Sequence, residues 1–330
     1  MDTLKQSKKV FSQLGFCYIA GTAVIYLLQW ILSALIGTYH PQWLQNAAFN
    51  LIFAGITVYA CGMPFILLLT SRMEKDVIER RKMKWWQFVL ALIICYSLIY
   101  ISNFAGIAIT TLVGILKGSP VENELVSVVA GGNVWANFII MVVAAPIVEE
   151  YVFRKVIVDR TVRYGQGIAV AASGLMFALY HGNLNQFAYA VVLGCFFAFI
   201  YVKTGNLKIT IAMHAIVNFM GSIVSGQLMK LLAYDELMTL DLTDTEALMQ
   251  HMMDHAAGWL LFGLYALGLF TVVIAGIVLF IIAIVKKRFT FEPARLQLPK
   301  GKGFQALILN PGMLVFCAIW LILIVIQLLA

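Results

Sequence analysis

Charge is scarce in this 330-residue chain, where Asp, Glu, Lys and Arg together make up 12%, about half the share of an ordinary soluble domain. The five cysteines, Cys17, Cys61, Cys95, Cys195 and Cys317, show no paired spacing, which argues against a disulfide framework or zinc finger and for packing roles. Internal repeats, low-complexity tracts and a linker long enough to set apart a soluble domain are all missing. What is abundant is apolar: hydrophobic residues make up 62%, an excess no soluble core can hide.

The apolar residues fall in runs near or above the roughly 20 residues that cross a bilayer as a helix. About nine spans are expected, near 14–36, 47–70, 86–116, 134–157, 167–181, 185–202, 207–229, 258–285 and 313–330, giving an all-α polytopic bundle. Lys5, Lys8 and Lys9 precede the first run, as in a secretory signal. That run exceeds a signal's core of roughly 7–15 residues and has no convincing cleavage site, so it reads as the first helix.

Short inner loops retain Lys and Arg. With the N-terminus cytoplasmic, the inner side holds Lys5, Lys8 and Lys9, the bases of 72–84 and 154–163, Lys203, Lys208 and those of 286–302, leaving only Lys117 and Lys230 outside. The outer loops carry Glu122, Glu124, Asp235, Glu236, Asp241, Asp244, Glu246 and Asp254. A multi-pass protein of the cell membrane with its C-terminus outside is therefore expected. The formal charge of +7 reflects topology and contact with anionic lipid, not nucleic-acid binding. The Trp85-Trp86 pair reads as an interfacial anchor, and 234–257 as a short surface helix or ordered loop on the outer face.

Ionisable groups inside spans are expensive, at least about 2.5–3.5 kcal/mol for a central charge, yet here they cluster. Glu149 and Glu150 are adjacent near the inner end of the fourth span. Glu150 and Arg154, four apart, share a helix face and can pair. Glu149 points about 100° away and is left without that partner, which makes it the better candidate base. Pro146 cannot donate to the helical ladder, so it should kink the helix and free a carbonyl. His181 ends the fifth span, and His214 and Asn218 lie one turn apart on the seventh, where both can donate hydrogen bonds to an oxyanion. Outside the spans, His251 and His255 have a metal-binding spacing, but they sit in an acidic loop without the Glu of a metalloprotease helix motif, and read as surface.

Glu149-Glu150-x-x-x-Arg154, Phe177-x-x-x-His181 and His214-x-x-x-Asn218, in that order, resemble the three motifs of the CAAX-protease and bacteriocin-processing family (Abi, or type II CAAX prenyl endopeptidases). The joint Tyr201-Val202-Lys203-Thr204-Gly205-Asn206-Leu207 is similar to that family's as well. The resemblance covers roughly 134–220. It implies an intramembrane hydrolase of peptide bonds whose cavity opens toward the inner side. Glu149 with His181 would activate water, His214 and Asn218 would hold the oxyanion, and Glu150, Arg154 and Phe177 would support them. It also leaves open a zinc held by Glu149, His181 and His214 with Glu150 as base, the metal-free route being slightly favoured. The implied partners are membrane lipids and a peptide or prenylated-protein substrate.

The chain then divides into accessory helices (1–133), a catalytic core (134–229) and an acidic outer loop with two last helices (230–330). Two other functions fit the same groups. A catalytically silent bacteriocin-immunity or scaffold protein would keep the motifs without turnover. A proton-coupled transporter would use them as a relay, though it should show repeats between halves.

Overall fold

The computed structural model describes residues 3–329 apart from 242 and 297; Ala330, expected to close the last span, lies outside them. The described residues form an all-helical bundle. Eight helices are long and apolar enough to cross a membrane: α1 (Thr3–Tyr39), α2 (Ala47–Thr70), α3 (Trp85–Lys117), α4 (Val134–Tyr164), α6 (Leu184–Thr204), α7 (Leu207–Leu231), α8 (Ala256–Val285) and α9 (Pro311–Leu329). Between α4 and α6 lies a shorter apolar helix, α5 (Gln166–Tyr180). Lys5, Lys8 and Lys9 belong to the first turns of α1 and do not precede it.

Apolar side chains cover the outside as well as the core. Leu260, Leu264, Leu267, Phe270, Ile274 and Val278 on α8 are all exposed. In water such a surface would aggregate; in lipid it is the required exterior. Lipid gives helices little hydrophobic reason to associate, so small residues and close packing must hold them. Gly174 on α5 and Gly194 on α6 supply this: a Cβ on Gly174 would collide with Cys195 Sγ, and one on Gly194 would sit 2.9 Å from Gly174 Cα.

Depth in the bundle follows from one tight turn. Gly165, at φ +143°, joins α4 to α5, a conformation that favours glycine. Glu149 lies fifteen residues before Tyr164 and His181 fifteen after Gln166, so at 1.5 Å per residue both stand about 22 Å from the turn. Read from span boundaries alone, His181 and Glu149 fall at different depths. The shortness of α5 is what levels them.

The bases gather at one end of the bundle, where the 71–84 segment is pinned across the helix ends. Asp76 N–H donates to Asp159 O at 2.7 Å and Arg81 N–H to Thr204 O at 2.8 Å. Arg163 pairs with Glu74 at 2.6 Å and Asp76 at 2.9 Å, and Arg81 with Glu292 at 2.8 Å. The hydrogen bond and charge of Arg163 hold the Glu74 carboxyl below the usual carboxylate range, and Arg81 does the same to Glu292. A carboxyl with a lowered folded pKa stabilises above its unfolded value, near 4.3, and loses that contribution as pH falls through the folded value. Amide exchange of Asp76 and Arg81, referenced to an unstructured peptide at each pH, should therefore stay protected near neutrality and accelerate severalfold below about pH 4. Strong salt at neutral pH should act in the same direction, because these pairs are partly solvated.

Candidate active site

Three of the helices that meet at the centre carry a wide turn there, in which hydrogen bonds run i to i−5. In α2 the widened stretch is Ile56–Gly62, in α4 Phe138–Ala144 and again Glu150–Val156, and in α7 Phe219–Val224. Those of α2 and of the first half of α4 directly precede Pro64 and Pro146. A proline has no N–H and its ring crowds the carbonyl one turn back, so an inserted residue relieves both problems. In the i to i−5 pattern the carbonyl Pro146 leaves without a donor is that of Met141. Asn218 on α7 fills the vacancy, its Nδ2 donating to Met141 O at 2.8 Å. The free carbonyl expected from Pro146 thus exists and has a partner.

Glu150 and Arg154 are fully buried and paired as the sequence predicts: Nε donates to Oε2 at 3.1 Å and Nη2 lies 3.0 Å from Oε1. The guanidinium also donates to Ser173 Oγ at 3.3 Å and lies 4.3 Å above the Phe177 ring. Beyond the expected pair, Glu150 Oε1 lies 3.0 Å from His214 Nδ1. The carboxylate needs a donor, so it places the proton of the ring on Nδ1. His214 Nε2 then points toward Glu149, 3.8 Å from Oε2.

Glu149 departs from expectation. Pairing with Arg154 is denied to it, but it is not left alone: Tyr59 on α2 donates its hydroxyl to Oε1 at 2.7 Å. Helical spacing relates residues of one helix only, and the partner comes from ninety residues earlier. No motif marks Tyr59, and a tyrosine in an apolar run is ordinary. The signal available was Pro64 downstream, which forces a wide turn into that helix. Tyr59→Phe should leave the fold intact and slow any Glu149-dependent turnover by about tenfold or more, the worth of one hydrogen bond to a charged group. Steady-state kinetics alongside a melting curve checks both halves of that statement.

His181 Nδ1 lies 2.8 Å from Phe177 O. A carbonyl only accepts, so Nδ1 carries the proton and Nε2 keeps its lone pair. Phe177 supports both imidazoles, edge-on to His181 at 4.6 Å and to His214 at 5.9 Å. Glu149, Phe177, His181, His214 and Asn218 line one cavity of about 440 Å³ together with Tyr59. All four expected catalytic residues are therefore brought together, with Phe177 beside them; Glu150 and Arg154 sit behind His214.

The geometry bears on one implication of the resemblance and on one alternative it left open. The cavity extends past Met220 and Ser222 to Asn123, Leu125 and Gln186, the acidic end of the bundle, whereas the resemblance implied an opening toward the inner side, the side on which the basic end is expected. The cause is the depth of Glu149 and His181, well along α4 and α5 from the basic turn. The zinc alternative also fits poorly. Tetrahedral ligands on bonds of about 2.1 Å stand about 3.4 Å apart, whereas ligand atoms of Glu149, His181 and His214 do not gather within 4.8 Å; among the described residues only Glu236, His251 and His255 do.

The fold and this cavity define a class: a membrane-embedded bundle with a secluded carboxylate and two oriented imidazoles. Residues 131–220 match the model of the type II CAAX prenyl endopeptidase Rce1-like family. That segment, which holds the three ordered motifs, is where the chain is similar to the type II CAAX prenyl endopeptidases. It is also similar to the membrane-embedded CAAX protease MroQ of Staphylococcus aureus (strain USA300), 26% identical over 227 residues, covering 63% of this chain and 88% of that protein. No solved structure matches it at a significant level.

Proposed function

We propose that this chain is an intramembrane endopeptidase that hydrolyses a peptide bond with water activated by Glu149. The observation that carries the reading is the convergence of Glu149, His181, His214 and Asn218 from three helices on one cavity. The family match and the name of the relative support the same class of activity.

In this reading a water molecule sits between Glu149 and the free Nε2 of His181. Glu149 takes one proton as the oxygen bonds to the scissile carbonyl carbon, and the π electrons move onto the carbonyl oxygen. The second N–H of the Asn218 amide, one being committed to Met141, is available to that oxyanion. His214 already gives Nδ1–H to Glu150, so it can donate from Nε2 only when protonated on both nitrogens. Collapse breaks the C–N bond, and Glu149 returns its proton to the leaving amine.

Residues 134–229 form the catalytic core in this proposal. The helices of 1–133 shape it, since α2 supplies Tyr59 and α3 supplies Tyr96 and Ile99 to the cavity wall, and 230–330 close the bundle. With the N-terminus cytoplasmic and the C-terminus outside, the cavity takes a membrane-associated peptide, prenylated or not, from the outer side. The test is cleavage of a library of membrane-tethered peptides by the purified chain in liposomes. The parent should cut a subset that Glu149→Ala and His181→Ala do not; equal cutting by the variants would overturn the proposal.

A further inference from the structure

The segment beyond α7 carries chemistry that the cavity does not use. Ala233, at φ +46°, reverses the chain and starts a short helix, Tyr234–Leu237; a second helix, Thr245–Asp254, then runs into α8 through His255. These turns bring Glu236 against the two histidines. Glu236 Oε2 lies 3.6 Å from His255 Nε2, and ligand atoms of Glu236, His251 and His255 all fall within 4.8 Å of one another. The first distance is close to the roughly 3.4 Å edge of a tetrahedron around zinc.

His251 supplies a second, independent observation. Expected on a solvated surface, it is 4% exposed, and its Nε2 is buried with no hydrogen-bond partner. Trp259 Nε1 points at the other nitrogen, Nδ1, from 3.4 Å, the long limit for such a bond. A buried ring nitrogen without a hydrogen-bond partner, one turn from a second imidazole and near a carboxylate, is what an empty ligand position looks like.

We infer that Glu236, His251 and His255 bind a divalent transition metal of the zinc class at the acidic end of the bundle, apart from the Glu149 cavity. Two imidazoles and one carboxylate make a borderline-soft donor set suited to zinc, cobalt, nickel or copper and poorly suited to magnesium or calcium. The side chain of Glu236 is 63% exposed, which leaves the fourth position to water. The three ligands come from one helix, the next helix and the residue that opens α8, so the ion fastens the 233–255 segment onto that end of α8. Binding at His251 Nε2 moves the ring proton to Nδ1 and ends the loose Trp259 contact.

Cobalt chloride titrated into the tag-free, full-length protein in detergent tests this. One cobalt per chain with the visible absorption of a low-coordinate site is expected, displaced by zinc, with a Trp fluorescence change that Trp259→Phe removes. Glu236→Gln, His251→Gln and His255→Gln should each weaken binding by about tenfold or more, while Glu149→Gln and His181→Asn leave it unchanged. Size-exclusion profiles show whether each variant folds, and Glu236→Gln, at the most exposed ligand, keeps the test open if a histidine variant does not. Absent binding, binding that survives Glu236→Gln and His255→Gln, or binding that follows His181→Asn would overturn the inference.

Discussion

Glutamine at position 149 should leave a folded protein that cuts its peptide about a thousandfold more slowly, within the range that a positioned general base contributes. The substitution keeps the size of the side chain and the hydrogen bond from the Tyr59 hydroxyl, now to an amide oxygen. What it removes is the ability to take a proton from water and return it to the leaving amine. Because both steps need that proton, kcat should fall and KM should hardly change. Cleavage by Glu149→Gln at the parental rate would point to a silent scaffold whose phenotype does not depend on this carboxylate, or to a different base.

The second large effect concerns stability. Arg154→Met leaves Glu150 as a fully buried charge with His214 and Thr210 beside it but no guanidinium, and should lower stability by about 3–5 kcal/mol, the cost of removing one partner from a buried pair. Replacing both, as Glu150→Met with Arg154→Met, removes two desolvation penalties together and should recover most of that loss. Activity should not return with it, since His214 Nδ1 then lacks the acceptor that fixes its proton. Reversible denaturation in mixed SDS micelles, paired with the cleavage assay, separates the two readouts. A double variant that is both stable and fully active would show that Glu150 does not orient His214.

Much of this was legible in the chain itself. The apolar runs gave the helices in order because length and hydropathy are local properties, and the Glu150–Arg154 pair followed from helical spacing. The ordered motifs pointed to Glu149, His181, His214 and Asn218, and the tertiary structure brings them to one cavity. What escaped depends on how helices rotate and cross. Tyr59 reaches Glu149 only because α2 packs against α4, and nothing near Tyr59 in sequence announces it. Glu236 meets His255 only after the reversal at Ala233, which turned a histidine pair read as surface into a three-ligand cluster. The direction of the cavity was hidden for a similar reason, since it depends on how far α4 and α5 rise from the turn at Gly165.

In the proposed mechanism, water held between Glu149 and His181 supplies one oxygen of the new carboxylate. Single-turnover cleavage in water enriched in oxygen-18, read by mass spectrometry of the N-terminal product, tests it most directly. The mechanism predicts one heavy oxygen in the new carboxylate of the parental product and no product with Glu149→Gln on the same timescale. Product free of the label, or labelled product formed equally fast by the variant, would contradict it.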